Sequence, residues 1–201
     1  MTPVPFRRAL AVAGGLLLLP ATSHAHLMTT GLGPFYDGVT HFALTPEDLL
    51  PALALALLAG QRGSRAGRLA LFALPGAWLV GGLVGLAFPT ISYAPVLTTA
   101  SFLALGGLVA AEARLQPAWV TGLAVVVGLL HGYLNGAAMA QAKLGALGVV
   151  GIVSTLFVVV ALAAAMVVAI RVPWGRIAVR VAGSWIAAIG LLLLGWSLRA
   201  T

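Results

Sequence analysis

The sequence predicts an all-α fold, a polytopic membrane helix bundle with six transmembrane helices after a cleaved signal peptide. Of its 201 residues, 61% are hydrophobic and only 7% are charged. A soluble domain carries about 25% charged residues, so this composition cannot cover a soluble surface. The apolar residues also form runs long enough to cross a bilayer, with arginines clustered between them.

Residues 1–25 have the organisation of a signal peptide. Arg7 and Arg8 precede an apolar run at 9–19, and Ser23 and Ala25 are small residues suited to cleavage. The alternative is an uncleaved first membrane helix, although the run is short for a span. Cleavage would leave residues 26–201 as the mature chain.

Cleavage would also create a nitrogen chelate at the new N-terminus. A cut after Ala25 exposes the α-amine of His26, and a cut after Ser23 exposes His24 as the first residue of a His-Ala-His sequence. An amine beside an imidazole can bind nickel or copper. The alternative is that histidine merely tolerates the cleavage site.

The mature chain begins with a short extracytoplasmic segment, residues 26–44, which we expect to bind metal. Its glycines and proline favour turns over residues 27–42. Thr45 is then a plausible N-cap with Pro46 at the first helical position and Glu47 and Asp48 in the first turn. The alternative role for both acids is to compensate the helix dipole.

Six helices are expected, at residues 43 or 45 to 60, 69–88, 95–113, 118–136 and 144–170, with the sixth ending at about Leu198 after a basic connection at 171–180. Glycines at 76, 81, 82 and 85 and at 128, 132 and 136 favour close helix approach. Starting outside, this topology places seven arginines in cytoplasmic loops, against Lys143 and Arg199 outside. The positive-inside rule therefore predicts that both mature termini lie on the extracytoplasmic side of the membrane.

The groups able to bind a metal ion are concentrated near the outer face. Three of the four acidic residues and two of the four histidines lie between residues 26 and 50. His131 lies in the outer half of the fourth helix, where an ionisable residue is a functional candidate. The predicted metal ligands are His26, Asp37, His41, Glu47, Asp48 and His131.

Two further residues have supporting roles in this prediction. Asn135 follows His131 by one helical turn and shares its face. Glu112 ends the third helix on the cytoplasmic side and is a candidate exit ligand. The alternatives are a structural hydrogen bond between helices for His131 and a solvated helix-end charge for Glu112.

Composition also limits the chemistry. Cysteine is absent, so any metal site uses imidazole, carboxylate, amine or backbone ligands. Such ligands suit nickel, cobalt, zinc or copper(II) without ranking them. The net charge of +7 lacks the aromatic and basic pattern of nucleic-acid binding. Ser154 and Ser184 lack a nucleophile motif, so we predict no enzymatic activity.

Three segments resemble the HupE/UreJ family of small bacterial membrane proteins. His41-Phe-Ala-Leu-Thr-Pro-Glu47-Asp48-Leu-Leu50 is similar to the family's H-P-x-x-G-x-D-H-L-L, and His131-Gly132 opens an element similar to its H-G-x-x-x-G. Glu112-Ala113 resembles its glutamate-alanine pair. The chain departs from the pattern where Phe42 replaces proline and Asp48 replaces the second histidine.

The resemblance implies a permease for a divalent transition metal, nickel or cobalt, that supplies metalloenzyme maturation. The metal would be the substrate, with no permanently bound cofactor. It would be captured at the outer cluster, passed to His131 and released past Glu112. The alternative is an accessory or sensor protein that binds metal without conducting it. The expected partners are membrane lipid and either a second copy or another subunit.

Overall fold

The computed structural model describes residues 30–89, 95–197 and Arg199. Within these residues the fold is entirely helical, as predicted, and contains no strand. The helices are α1 (Pro34–Leu44), α2 (Pro46–Gln61), α3 (Ser64–Ala87), α4 (Pro95–Ala110), α5 (Pro117–Gln141), α6 (Gly145–Ala169) and α7 (Pro173–Ser197). The predicted signal peptide, His24 and His26 lie outside the described residues.

Four of these helices, α3, α5, α6 and α7, are long and apolar enough to cross a membrane. Helices α1 and α2 meet the same test only as a pair, and the chain bends by 71° between them. Helix α4 has 16 residues, which is short for a full crossing. The chain is therefore a multi-pass membrane protein, and the count of six spans stays a prediction.

The expectation of turns over residues 27–42 was wrong from Pro34 onward, where the chain forms α1. Gly31 and Gly33 do turn the chain, with φ values of 75° and 101°. Gly38, however, is helical and buried, and a methyl group there would overlap the carbonyl oxygen of Gly148. This glycine therefore permits close packing of α1 against α6 and does not mark a turn.

Helices α3 and α5 touch along most of their length through opposed glycines. A methyl group on Gly85 would overlap the backbone of Tyr133, and one on Gly136 would overlap the backbone of Gly82. Gly132 lies equally close to the backbone of Trp78. In a bilayer such contact replaces the hydrophobic effect as the force that joins helices, so this pair forms a rigid frame.

Seven of the eight arginines in the described residues collect at one end of the bundle, which we call the basic end, and the eighth, Arg199, follows the far end of α7. Gln61 Nε2 donates to the carbonyl of Val109 at 3.1 Å, and Arg180 Nε donates to that of Ala110 at 2.9 Å. These bonds join the last turn of α2, the last turn of α4 and the first turns of α7. The basic end carries Arg62, Arg65, Arg68, Arg114, Arg171, Arg176 and Arg180.

Replacing Gly136 by alanine is expected to lower the free energy of unfolding by about 1–3 kcal/mol, the usual effect of overpacking. The added methyl group must push α5 away from Gly82. The measurement is the thermal unfolding midpoint of the purified protein in detergent. Gly122→Ala is the control, because a methyl group there meets nothing within 4 Å. Equal midpoints for the two variants would contradict the close contact.

Candidate functional site

The break between α1 and α2 creates the centre of the site. Thr45 is extended, with φ −101° and ψ 98°, and Pro46 starts α2 as the sequence predicts. His41 lies in the last turn of α1, and Asp48 lies in the first turn of α2. The bend brings the two side chains together, with His41 Nε2 3.9 Å from Asp48 Oδ2.

Helix α5 completes the cluster from the other side. His131 Nδ1 lies 3.0 Å from Asp48 Oδ1, and Asn135 Nδ2 donates to Asp48 Oδ2 at 2.9 Å. Asp48, His131 and Asn135 are 5%, 0% and 4% exposed. The i, i+4 spacing puts His131 and Asn135 on one face of α5, as predicted, and both side chains contact the carboxylate of Asp48.

This cluster lies deep within the bundle. His131 precedes the end of α5 by ten residues, which corresponds to about 15 Å of helix. Because Asp48 contacts His131, the N-terminus of α2 also begins at about this depth. We call helix α2 a half-helix because it starts part-way along the bundle, and in its first turn Asp48 is buried while Glu47 is exposed. The positive end of its dipole is directed at the cluster and stabilises the carboxylate of Asp48.

The far side of His131 is held by two residues that the sequence analysis missed. Ser101 Oγ of α4 lies 3.2 Å from His131 Nε2, and it also donates to the carbonyl of Thr98 at 2.6 Å. Trp78 of α3 stacks on the imidazole, with ring centroids 5.4 Å apart and planes inclined by 29°. Phe42 packs edge-on against Trp78 at 5.8 Å. Four helices thus fix this ring.

Two polar atoms in and beside the cluster are buried without a hydrogen-bond partner, Asn135 Oδ1 and Trp78 Nε1. Buried polar groups are usually paired, and the exceptions often mark functional sites. The amide oxygen of Asn135 is the more informative of the two. It is a neutral oxygen ligand on the same residue that contacts Asp48 Oδ2, the carboxylate oxygen nearer to His41.

The other predicted ligands are not part of this cluster in the described structure. Asp37 accepts hydrogen bonds from the backbone and hydroxyl of Thr30, at 2.5 and 2.7 Å. Glu47 follows Pro46 on the exposed side of α2. Glu112 lies at the basic end, where it lines a cavity with three arginines. The roles predicted for these residues, and for His26, stay predictions.

Among the described residues, no three histidine, aspartate or glutamate side chains are grouped so as to hold a metal ion. Both ring nitrogens of His131 already have hydrogen-bond partners, Asp48 and Ser101. His41 reaches the cluster only through the 3.9 Å approach to Asp48. The site is thus a hydrogen-bonded polar cluster in which Asn135 Oδ1 has no partner and His41 lies at the edge.

A comparison with protein families matches residues 14–193 to the family described as HupE / UreJ protein. The chain belongs to the HupE/UreJ family. That match spans the described helices almost to the end of α7 and includes the segments around His41, Glu112 and His131 on which the resemblance was based. No curated protein and no solved structure matches the chain.

Membership identifies the chain as a membrane protein of a family related to nickel and cobalt transport. The HupE/UreJ family comprises transporters and accessory proteins and is not known for enzymatic activity. In this member, the segment around His41 forms the break between α1 and α2. The His131 segment forms the facing part of α5, so two of the three resembling segments meet in the cluster.

Asp48→Asn is expected to destabilise the protein by about 1–3 kcal/mol, because it replaces one of the two buried acceptor oxygens with a donor. The new amide cannot accept from both His131 and Asn135. Thermal unfolding in detergent measures the effect. Glu47→Gln, a neighbouring exposed acid, should change stability by less than about 0.5 kcal/mol. Similar losses in both variants would mean that the Asp48 contacts contribute little.

Proposed function

We propose that the protein is a secondary transporter that moves a divalent transition-metal ion, nickel or cobalt, across the bacterial inner membrane for metalloenzyme maturation. The observation that carries the proposal is the buried Asp48–His131–Asn135 cluster, which faces His41 at the start of a half-helix. Discontinuous helices of this kind form the ion and substrate sites of many transporters. Membership of the HupE/UreJ family supports the same substrate class.

The separation of His41 and Asp48 supports binding between them. Two ligands placed 2.0–2.1 Å from one ion lie about 3–4 Å apart, depending on the angle at the metal. The 3.9 Å between His41 Nε2 and Asp48 Oδ2 is in this range. Asn135 Oδ1, which has no partner, supplies a third donor beside them. His131 then orients Asp48 and becomes a ligand only after its ring turns.

A site of this composition suits transfer better than storage. Structural metal sites close four ligands around the ion, whereas a transported ion must also leave. Here the ion would have only three ligands: one imidazole, one carboxylate oxygen and one amide oxygen. The mixture of nitrogen and oxygen donors fits nickel and cobalt, and it also fits zinc and copper(II).

The energy for accumulation would come from the membrane potential. With both mature termini in the periplasm, the ion moves inward and gains about 4.6 kcal/mol per 100 mV, twice the value for one charge. The surroundings of Glu112 disfavour the release of a cation there, because Arg62, Arg114 and Arg176 line the same cavity. A path that avoids this cavity fits the charges better.

The second candidate function is a membrane-bound accessory or sensor protein that binds the metal without conducting it. The observation in its favour is that both nitrogens of His131 are already hydrogen-bonded. A protein of this kind would bind metal at His41 and Asp48 and pass no ion to the other side.

His131→Ala and Asp48→Ala are expected to reduce nickel or cobalt uptake to the level of empty liposomes. Both remove a member of the buried cluster that receives the ion. The measurement is radioactive metal uptake into proteoliposomes under a negative internal potential, with membrane insertion checked separately. Competition by nickel, cobalt, zinc and copper(II) then ranks the substrates.

Ser154→Ala is the control for uptake, because Ser154 is exposed and bonds only to the carbonyl of Val150 in its own helix. It should transport like the parent protein. Normal uptake by the His131 variant would remove His131 from the pathway. Metal binding by the parent protein without any uptake would instead favour the accessory or sensor function.

A further inference from the structure

A cavity of about 340 Å³ opens at the basic end of the bundle. It is bounded by the connection from α2 to α3, the end of α4, the end of α6 and the start of α7. Its charged lining consists of Arg62, Arg114, Arg176 and Glu112. Three guanidinium groups against one carboxylate leave an excess of two positive charges, which favours an anion and opposes a free metal cation.

The polar groups in this cavity are incompletely paired. Arg62 Nε and Gln61 Oε1 are buried and have no hydrogen-bond partner. Among the described residues, the only ion pairs are those of Asp48, so Glu112 neutralises none of the three arginines by direct contact. Guanidinium groups in this state are suited to a phosphate, which can accept several N–H donors at once.

An apolar groove, also of about 340 Å³, adjoins this cavity. It runs between the start of α3 and the end of α6, and small residues such as Gly67, Ala161 and Ala165 form its floor. Val168 lines both the groove and the basic cavity. Arg68 and Arg171 line the part of the groove that lies at the basic end of the bundle.

The dimensions of the groove match a lipid chain. Its α6 wall extends from Ala161 to Ala169, which is about 12 Å of helix and close to half the thickness of a bilayer core. An acyl chain in one leaflet has this length and this orientation. Because the basic cavity lies at the same end, a chain in the groove would carry its headgroup towards the arginines.

We propose that the basic cavity and the adjoining groove together bind one anionic phospholipid. The headgroup phosphate is held by Arg62, Arg114 and Arg176, and one acyl chain lies along the groove between α3 and α6. Basic pockets between transmembrane helices are a known form of anionic lipid site. This site is at the basic end, away from the Asp48 cluster in the interior of the bundle, and does not depend on the proposed transport function.

The test is native mass spectrometry of the full-length protein in detergent, titrated with phosphatidylglycerol or with phosphatidylcholine of the same acyl chains. Phosphatidylglycerol should bind more tightly. Each of Arg62→Gln and Arg176→Gln should weaken its binding about fivefold, the contribution typical of one arginine near an anionic lipid surface. Arg176→Lys, which keeps the charge, should retain most of the affinity and shows that the fold tolerates substitution there.

Arg65→Gln is the matched control, because Arg65 is exposed in the first turn of α3 and lines neither cavity nor groove. Its binding should equal that of the parent protein. Ala165→Trp fills the groove and should weaken phosphatidylglycerol binding while leaving the arginines intact. Inorganic phosphate and glycerol phosphate are added as competitors to distinguish a lipid from a free phosphate.

Three results would overturn the proposal. Equal affinity for the two lipids would exclude a headgroup site, and an equal loss in Arg65→Gln would indicate general surface charge. Unchanged lipid binding by Ala165→Trp, together with competition by inorganic phosphate, would mean that the cavity binds soluble anions and that the groove is not used.

Discussion

The carboxyl group of Asp48 is buried in the middle of an apolar bundle, and the helices that contact it and His131 are arranged around it. Removing a carboxylate from water costs several kcal/mol unless hydrogen bonds and opposite charge replace the lost hydration. Here the replacement comes from an imidazole N–H, an amide N–H and the first turn of α2. These groups can reach Asp48 only if α2 starts, and α5 passes, at the same depth in the bundle. The position of Asp48 therefore constrains the placement of α2 and α5. Through the contacts of His131 with Trp78 and Ser101, it also constrains α3 and α4.

The carboxylates and imidazoles lie mostly in one region of the molecule, and the arginines lie mostly in another. Carboxylates and imidazoles occupy the region where α1, α2 and α5 meet, whereas the arginines collect where α2, α4, α6 and α7 end or begin. A membrane protein has few charges to distribute, so each cluster is informative. Groups able to bind cations are concentrated in the first region, and groups able to bind anions are concentrated in the second.

Much of the fold could be predicted because hydrophobic runs and arginine clusters mark helices directly. The predicted helices at 118–136 and 144–170 correspond to Pro117–Gln141 and Gly145–Ala169. The meeting of His131, Asn135 and Asp48 could also be predicted, from helical spacing and the high cost of lone polar groups in a bilayer. Helix α1 could not, because Gly38 resembles the turn glycines before it and only the backbone of α6 shows that it permits packing. Ser101 and Trp78 were missed for a similar reason, since an isolated serine or tryptophan in an apolar helix does not indicate which neighbour it contacts. The different surroundings of Glu47 and Asp48 likewise depend on which side of α2 faces α5.

The glycine contacts between α3 and α5 have a mechanical consequence. Where two backbones touch without intervening side chains, neither helix can slide along the other unless the two first separate. We therefore expect α3 and α5 to move as one unit. The extended residue Thr45 is different, because it interrupts the ladder of helical hydrogen bonds between His41 and Asp48. Any pivoting of α1 relative to α2 therefore changes the distance between those two side chains while His131 stays fixed on α5. Rotation about the backbone of Thr45 would then change two quantities together: the angle between α1 and α2, and the affinity of His41 and Asp48 for a cation.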